Sequence, residues 1–84
     1  MLTLWRVAEP DHAVRFDRRA NVGLHHVALK VRDLESLTRV FNRVREYPGV
    51  VIEFAPGPIR EGSSIQHFMC FMPGGIRVEF ATAA

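Results

Sequence analysis

Between Asp33 and Pro48 apolar residues return at three- and four-residue steps, as Leu34, Leu37, Val40, Phe41 and Val44. This spacing predicts a helix over about 34–46 with one buried stripe. Asp33 is placed to cap its first turn, Glu35 follows favourably, and Pro48 with Gly49 ends it. The other patterned segments carry the strand period of two: "LTLWRVA" (2–8), "LHHVALKV" (24–31), "VVIEFA" (50–55), "IQHFMCFM" (65–72) and "IRVEFAT" (76–82). A lone helix must bury its stripe on a sheet. The expected fold class is therefore α+β, with one helix on one face of a small, mostly antiparallel sheet. The order is strand, helix and three strands (βαβββ), preceded by an additional N-terminal strand.

The segments between are turn-rich: "PGPIREGSS" reads as a loop and "PGG" as a tight turn. The connector "EPDHAVRFDRRANVG" is long for so small a domain, and such loops are usually functional or cross to another unit. With 84 residues the chain suits a single domain, 1–84, made of a strand and connector over 1–21 and a module over 22–84. A chain of this length buries only roughly 60–65% of its surface, which leaves a thin stability margin and favours pairing as a homodimer.

Composition narrows the function. The net charge is +2, and Lys30 is the single lysine among 11 basic residues. Arg15, Arg18 and Arg19 form one basic cluster, and Arg39, Arg43 and Arg45 a second. No aromatic residues interleave with the second on a common face, so a solvated surface is expected and not a nucleic-acid partner. Cys70 stands alone, which excludes an internal disulfide and a cysteine-rich zinc site; its apolar neighbours suggest a buried thiol. No stretch has the length and apolarity of a membrane span, and the opening residues lack the form of a signal peptide, so a cytoplasmic location is expected.

Side-chain alternation sorts the strands. His25, Val27, Leu29 and Val31 share the more apolar face and are expected toward the helix, leaving His26 on the free face. By the same rule Ile76, Val78 and Phe80 point inward and Arg77 and Glu79 outward, while Val50, Ile52 and Phe54 point inward and Val51 and Glu53 outward. Strand 65–72 is apolar on both sides. If Phe68 and Cys70 pack on the helix, His67, Met69 and Phe71 join the free face. His26 and Glu79 there form too small a ligand set for a metal ion, which takes about four to six donors with three or more usually from protein. A second copy across a two-fold axis would double them to two histidines and two glutamates, with positions left for water or substrate.

The same residues resemble a known pattern. "LHHVALKV", the helix, "GVVIEFAP" and "HFMCFMPGGIRVEF", in that order, resemble a βαβββ module of the vicinal oxygen chelate superfamily over about residues 22–82. That superfamily includes glyoxalase I, extradiol dioxygenases, fosfomycin-resistance enzymes and bleomycin-binding proteins. Its metal-ligand positions fall on His26 and Glu79. The resemblance implies a divalent metal (Zn, Ni, Mn or Fe) and a small-molecule substrate in a cleft between two modules. Only one module is present, and residues 2–23 look like the closing strand and linker of a preceding one, whose ligand position would lie near Met1 without a carboxylate. Where extradiol dioxygenases carry a catalytic histidine and tyrosine, this chain has Arg60 and Met69, so ring cleavage is not expected. Glu79 would also be the base of glyoxalase-type chemistry.

Other residues have weaker claims. Glu53, Arg60, His67, Met69, Phe71 and Arg77 are candidates for lining the cleft, although packing or surface pairing accounts for each. Glu61 with Arg60 would suit a lid, His12 a loop reaching a partner's cleft, and Trp5 a chain–chain contact. The leading expectation is a glyoxalase-like metal-dependent lyase or isomerase. The alternatives are a bleomycin-type sequestering protein without metal and an inactive half-protein.

Overall fold

The computed structural model describes residues 2–83. After a 3-10 turn at Pro10–His12 come strand β1 (Val27–Val31), helix α1 (Leu34–Val44) and strands β2 (Val51–Pro58), β3 (Gln66–Phe71) and β4 (Arg77–Thr82). The sheet runs in the order β1-β4-β3-β2. β1 lies parallel to β4, and the other two pairings are antiparallel, so the sheet is mixed and open. The described residues form an α+β structure of one α-helix and four strands.

Asp33 caps α1 by accepting a 2.8 Å hydrogen bond from the Ser36 N–H. That bond holds the Asp33 carboxyl below its ordinary value. The helix lays Leu37, Val40, Phe41 and Val44 on a core of Phe68, Cys70 and Val78, in which Leu37, Phe68 and Cys70 are fully buried. The Phe68 ring is central: it meets Phe41 edge-on at 5.2 Å and stacks on Phe80 at 5.0 Å. Burial also pushes the Cys70 thiol up, as its apolar setting disfavours a thiolate.

Several expectations fail. Residues 2–8 form no strand; Leu2, Leu4, Trp5 and Val7 are exposed, and among the described residues no strand pairs with them. The resulting radius of gyration is 14.2 Å, against about 12 Å for a compact chain of this length. Met1, near which the preceding module's ligand position was expected, lies outside the described residues. Leu34 is 53% exposed, so the buried stripe starts at Leu37, and Leu29, expected inside, is 40% exposed on an edge strand.

Phe54 is a further case. Along β2, Ile52 faces Cys70 but Phe54 faces Met69, so Glu53 is an extra residue and the alternation shifts after it. Phe54 thereby joins the free face, its ring 4.9 Å from that of His67.

Phe68→Ala should cost about 3–5 kcal/mol and bring the domain near unfolding, whereas Leu34→Ala should change stability by less than about 0.5 kcal/mol in urea denaturation. The Asp33 cap carries a pH signature. Its folded-state value is lowered, so its stabilisation is complete above the ordinary carboxylate value of about 3.9 and is lost as pH falls through the lower, folded one. Melting curves of Asp33→Ala should lack this part of the acid limb.

Candidate functional site

Parity and register bring the polar residues together. With Phe68 and Cys70 under the helix, His67, Met69 and Phe71 face the other way, and β3 pairs Met69 with Glu79 and Phe71 with Arg77. Met69 is 4% exposed and forms a floor between Phe54 and Glu79. Above it His67 Nδ1 donates to Glu79 Oε2 at 2.5 Å, and His26 Nε2 stands 3.3 Å from Glu79 Oε1. The Glu79 side chain is 14% exposed and is held from both sides.

A second group adjoins the first. Arg77 donates through Nε (3.0 Å) and Nη2 (2.8 Å) to Glu53 Oε2, and the bulge at Glu53 lets that carboxylate reach across β3 to β4. Arg77 Nη1 lies 3.3 Å from His25 Nδ1, which is 2.8 Å from His26 Nδ1. An unbroken polar chain thus runs Glu53–Arg77–His25–His26–Glu79–His67. His25 was expected under the helix. Residues 24–26 instead precede the β1 ladder, where strict alternation does not apply, and His25 turns beside His26. Partial desolvation and the Arg77 charge lower its pKa, which favours the neutral ring.

The connector forms a wall beside this chain. Asp17 ties a turn by accepting from Arg19 N–H (2.9 Å), while its own N–H donates to Asn21 Oδ1 (2.6 Å). The turn brings Arg18 Nη2 to 3.9 Å from Glu53 Oε1. Phe16 packs so closely on Gly23 that a Cβ there would come within 2.5 Å of its ring. Between connector and sheet lies an open cleft of about 810 Å³, lined by Phe16, Arg18, His25, His26, Phe71 and Arg77 among others. Sequence reasoning missed Arg18, Phe16 and His25 as parts of this site; the only signals were the length of the connector and the doubled histidine.

Arg60 and Glu61 stand in the exposed turn between β2 and β3, outside the polar chain. His12 is exposed at the end of the 3-10 turn.

Among the described residues no group of three or more His, Cys, Asp or Glu side chains is arranged to hold a metal ion. One pair of donors, His26 Nε2 and Glu79 Oε1, has a spacing that can be set against that of two ligands of one ion. Two adjacent ligands at about 2.1 Å from a shared ion are about 3.0 Å apart at a right angle and about 3.4 Å apart at the tetrahedral angle. The 3.3 Å between His26 Nε2 and Glu79 Oε1 falls inside that interval. His67 sits on the other carboxylate oxygen and does not share this position. The described residues bring two donors to this position, fewer than a metal ion takes.

Compared with protein-family models, with curated proteins and with solved structures, the chain matches none.

Glu79→Ala removes the acceptor of His67 and the partner of His26 and should lower stability by about 1–3 kcal/mol in urea denaturation.

Proposed function

We propose that two copies of this chain form a cleft of the vicinal oxygen chelate type, in which His26 and Glu79 of each copy hold a divalent metal and act on a small oxygen-chelating substrate. The observation that carries this reading is the 3.3 Å approach of His26 Nε2 to Glu79 Oε1, a ligand-pair spacing on the sheet face turned away from the helix. The bound ion would polarise neighbouring substrate oxygens, as in lyase and isomerase chemistry. Glu79 of one of the two copies, swinging off the ion, is the base that would take a proton from carbon next to a carbonyl. His67, donating to the second carboxylate oxygen, orients Glu79 for that role. Arg15, Arg18, Arg19 and Arg77 line the adjoining cleft, which suits a substrate with an anionic group. Zinc, nickel, manganese and ferrous iron all accept such a mixed nitrogen and oxygen set.

A second reading has its own observation. Both oxygens of Glu79 are already engaged by histidines within the chain. This closure favours a paired cleft that sequesters a small molecule without metal.

Calorimetric titration of metal-stripped protein with zinc, nickel and manganese separates the two. The enzyme reading expects one ion per two chains, binding abolished by His26→Ala, and turnover lost with chelator or Glu79→Gln. Absence of binding at millimolar metal removes it and leaves sequestration or an inactive half-protein.

A further inference from the structure

Charge along the connector cleft is unbalanced. Its lining carries Arg15, Arg18, Arg19 and Arg77 against a single acid, Asp17, which is engaged in its own turn by accepting from the Arg19 N–H at 2.9 Å. Glu53 stands beside the cleft, and both Arg77 and Arg18 approach it unequally. Arg77 makes hydrogen bonds of 3.0 and 2.8 Å to Glu53, whereas Arg18 Nη2 stays 3.9 Å away, beyond hydrogen-bond reach. Among the described residues the Arg18 guanidinium therefore makes no hydrogen bond, although its side chain is only 30% exposed. Desolvation, then the charges of Arg77, His26 and Arg18, lower the pKa of the neighbouring His25, in keeping with a positive field.

The wall that carries Arg18 is fastened in place. Asn21 donates its N–H to the Asp17 carbonyl at 2.8 Å and accepts from the Asp17 N–H at 2.6 Å, which closes the turn over residues 17–21. Phe16, next to it, is seated against Gly23. Apolar side chains complete the lining: Leu4, Phe16, Leu24 and Ile76 are exposed there, and Phe71 is half-buried. Exposed apolar surface beside unfilled guanidinium N–H groups fits a ligand with an anionic head and an apolar body. The cleft's volume of about 810 Å³ lies within the roughly 300–1,000 Å³ of small-molecule sites.

We propose that this cleft binds a small amphipathic carboxylate, its head on Arg18 and its apolar body against Phe16, Leu24 and Ile76. A guanidinium fork matches a carboxylate through two parallel N–H donors, and Arg18 has such donors to give. Arg77 neutralises Glu53, so that charge does not oppose a second carboxylate beside Arg18. The site goes beyond the metal reading: one chain builds it, and it needs neither an ion nor a second copy.

Calorimetric titration of the full chain, metal-stripped and with chelator present, tests this with decanoate below its micelle-forming concentration. Acetate supplies the head alone, and decyltrimethylammonium the tail with the opposite charge. Decanoate should bind saturably at a single site per chain, and the other two probes at least about tenfold more weakly. Arg18→Gln should weaken decanoate about tenfold, the scale of one charge-assisted hydrogen bond. Arg43→Gln, at an exposed position of α1 outside the cleft, should leave it unchanged. Proton–nitrogen NMR of the unaltered protein should place the decanoate-induced shifts in residues 16–25 and 76–77.

Absence of saturable decanoate binding, equal binding of decyltrimethylammonium, or unchanged affinity in Arg18→Gln each overturns the assignment. Capture of the protein by phosphatidylglycerol vesicles without any response to decanoate overturns it in favour of a membrane surface. With chelator present throughout, these outcomes are independent of whether His26 and Glu79 hold an ion.

Discussion

Burial of Phe68 and Cys70 beneath Leu37 and Phe41 decides the arrangement of the rest of the sheet. Because strand side chains alternate, fixing these two inward sends His67, Met69 and Phe71 outward, and the ladder to β4 then sets Glu79 and Arg77 beside them. A one-residue slip of β3 would place His67 under the helix and strand an imidazole in an apolar core. The site therefore inherits its register from packing on the opposite face, and stability and polar geometry are linked through one strand.

Polar contacts on the free face orient side chains more than they stabilise the fold. Partly exposed ion pairs such as Glu53–Arg77 contribute about 0–1 kcal/mol each, little beside the aromatic core. Their value lies in direction. Arg77 is held by two bonds to one carboxylate oxygen and has a further N–H to place, and β2 supplies the carboxylate only because Glu53 is a bulged residue. The connector contributes Arg18 and Phe16 from outside the sheet, converting one edge of the free face into a cleft.

Much of this was legible in the residues. The helix stripe, the cap at Asp33 and the alternation in 76–82 each follow from local rules, and together they placed Glu79 outward. The join of His26 to Glu79 was legible by the same parity, although His26 itself lies one residue before the ladder. Alternation failed where the backbone leaves the regular pleat: at His25, ahead of β1, and at Phe54, beyond the bulge. A bulge is a tertiary accommodation between two strands, and neither strand's own pattern announces it. Residues 2–8 failed differently, since a period of two cannot supply the neighbour that a strand requires.

Anomalous X-ray scattering at the zinc edge, from crystals grown with zinc, tests the central claim most directly. The account predicts a peak on a two-fold axis, within about 2.0–2.2 Å of His26 Nε2 and Glu79 Oε1 from each of two copies. A well-ordered pair of chains with no peak there, and His26 still closed directly on Glu79, would contradict it.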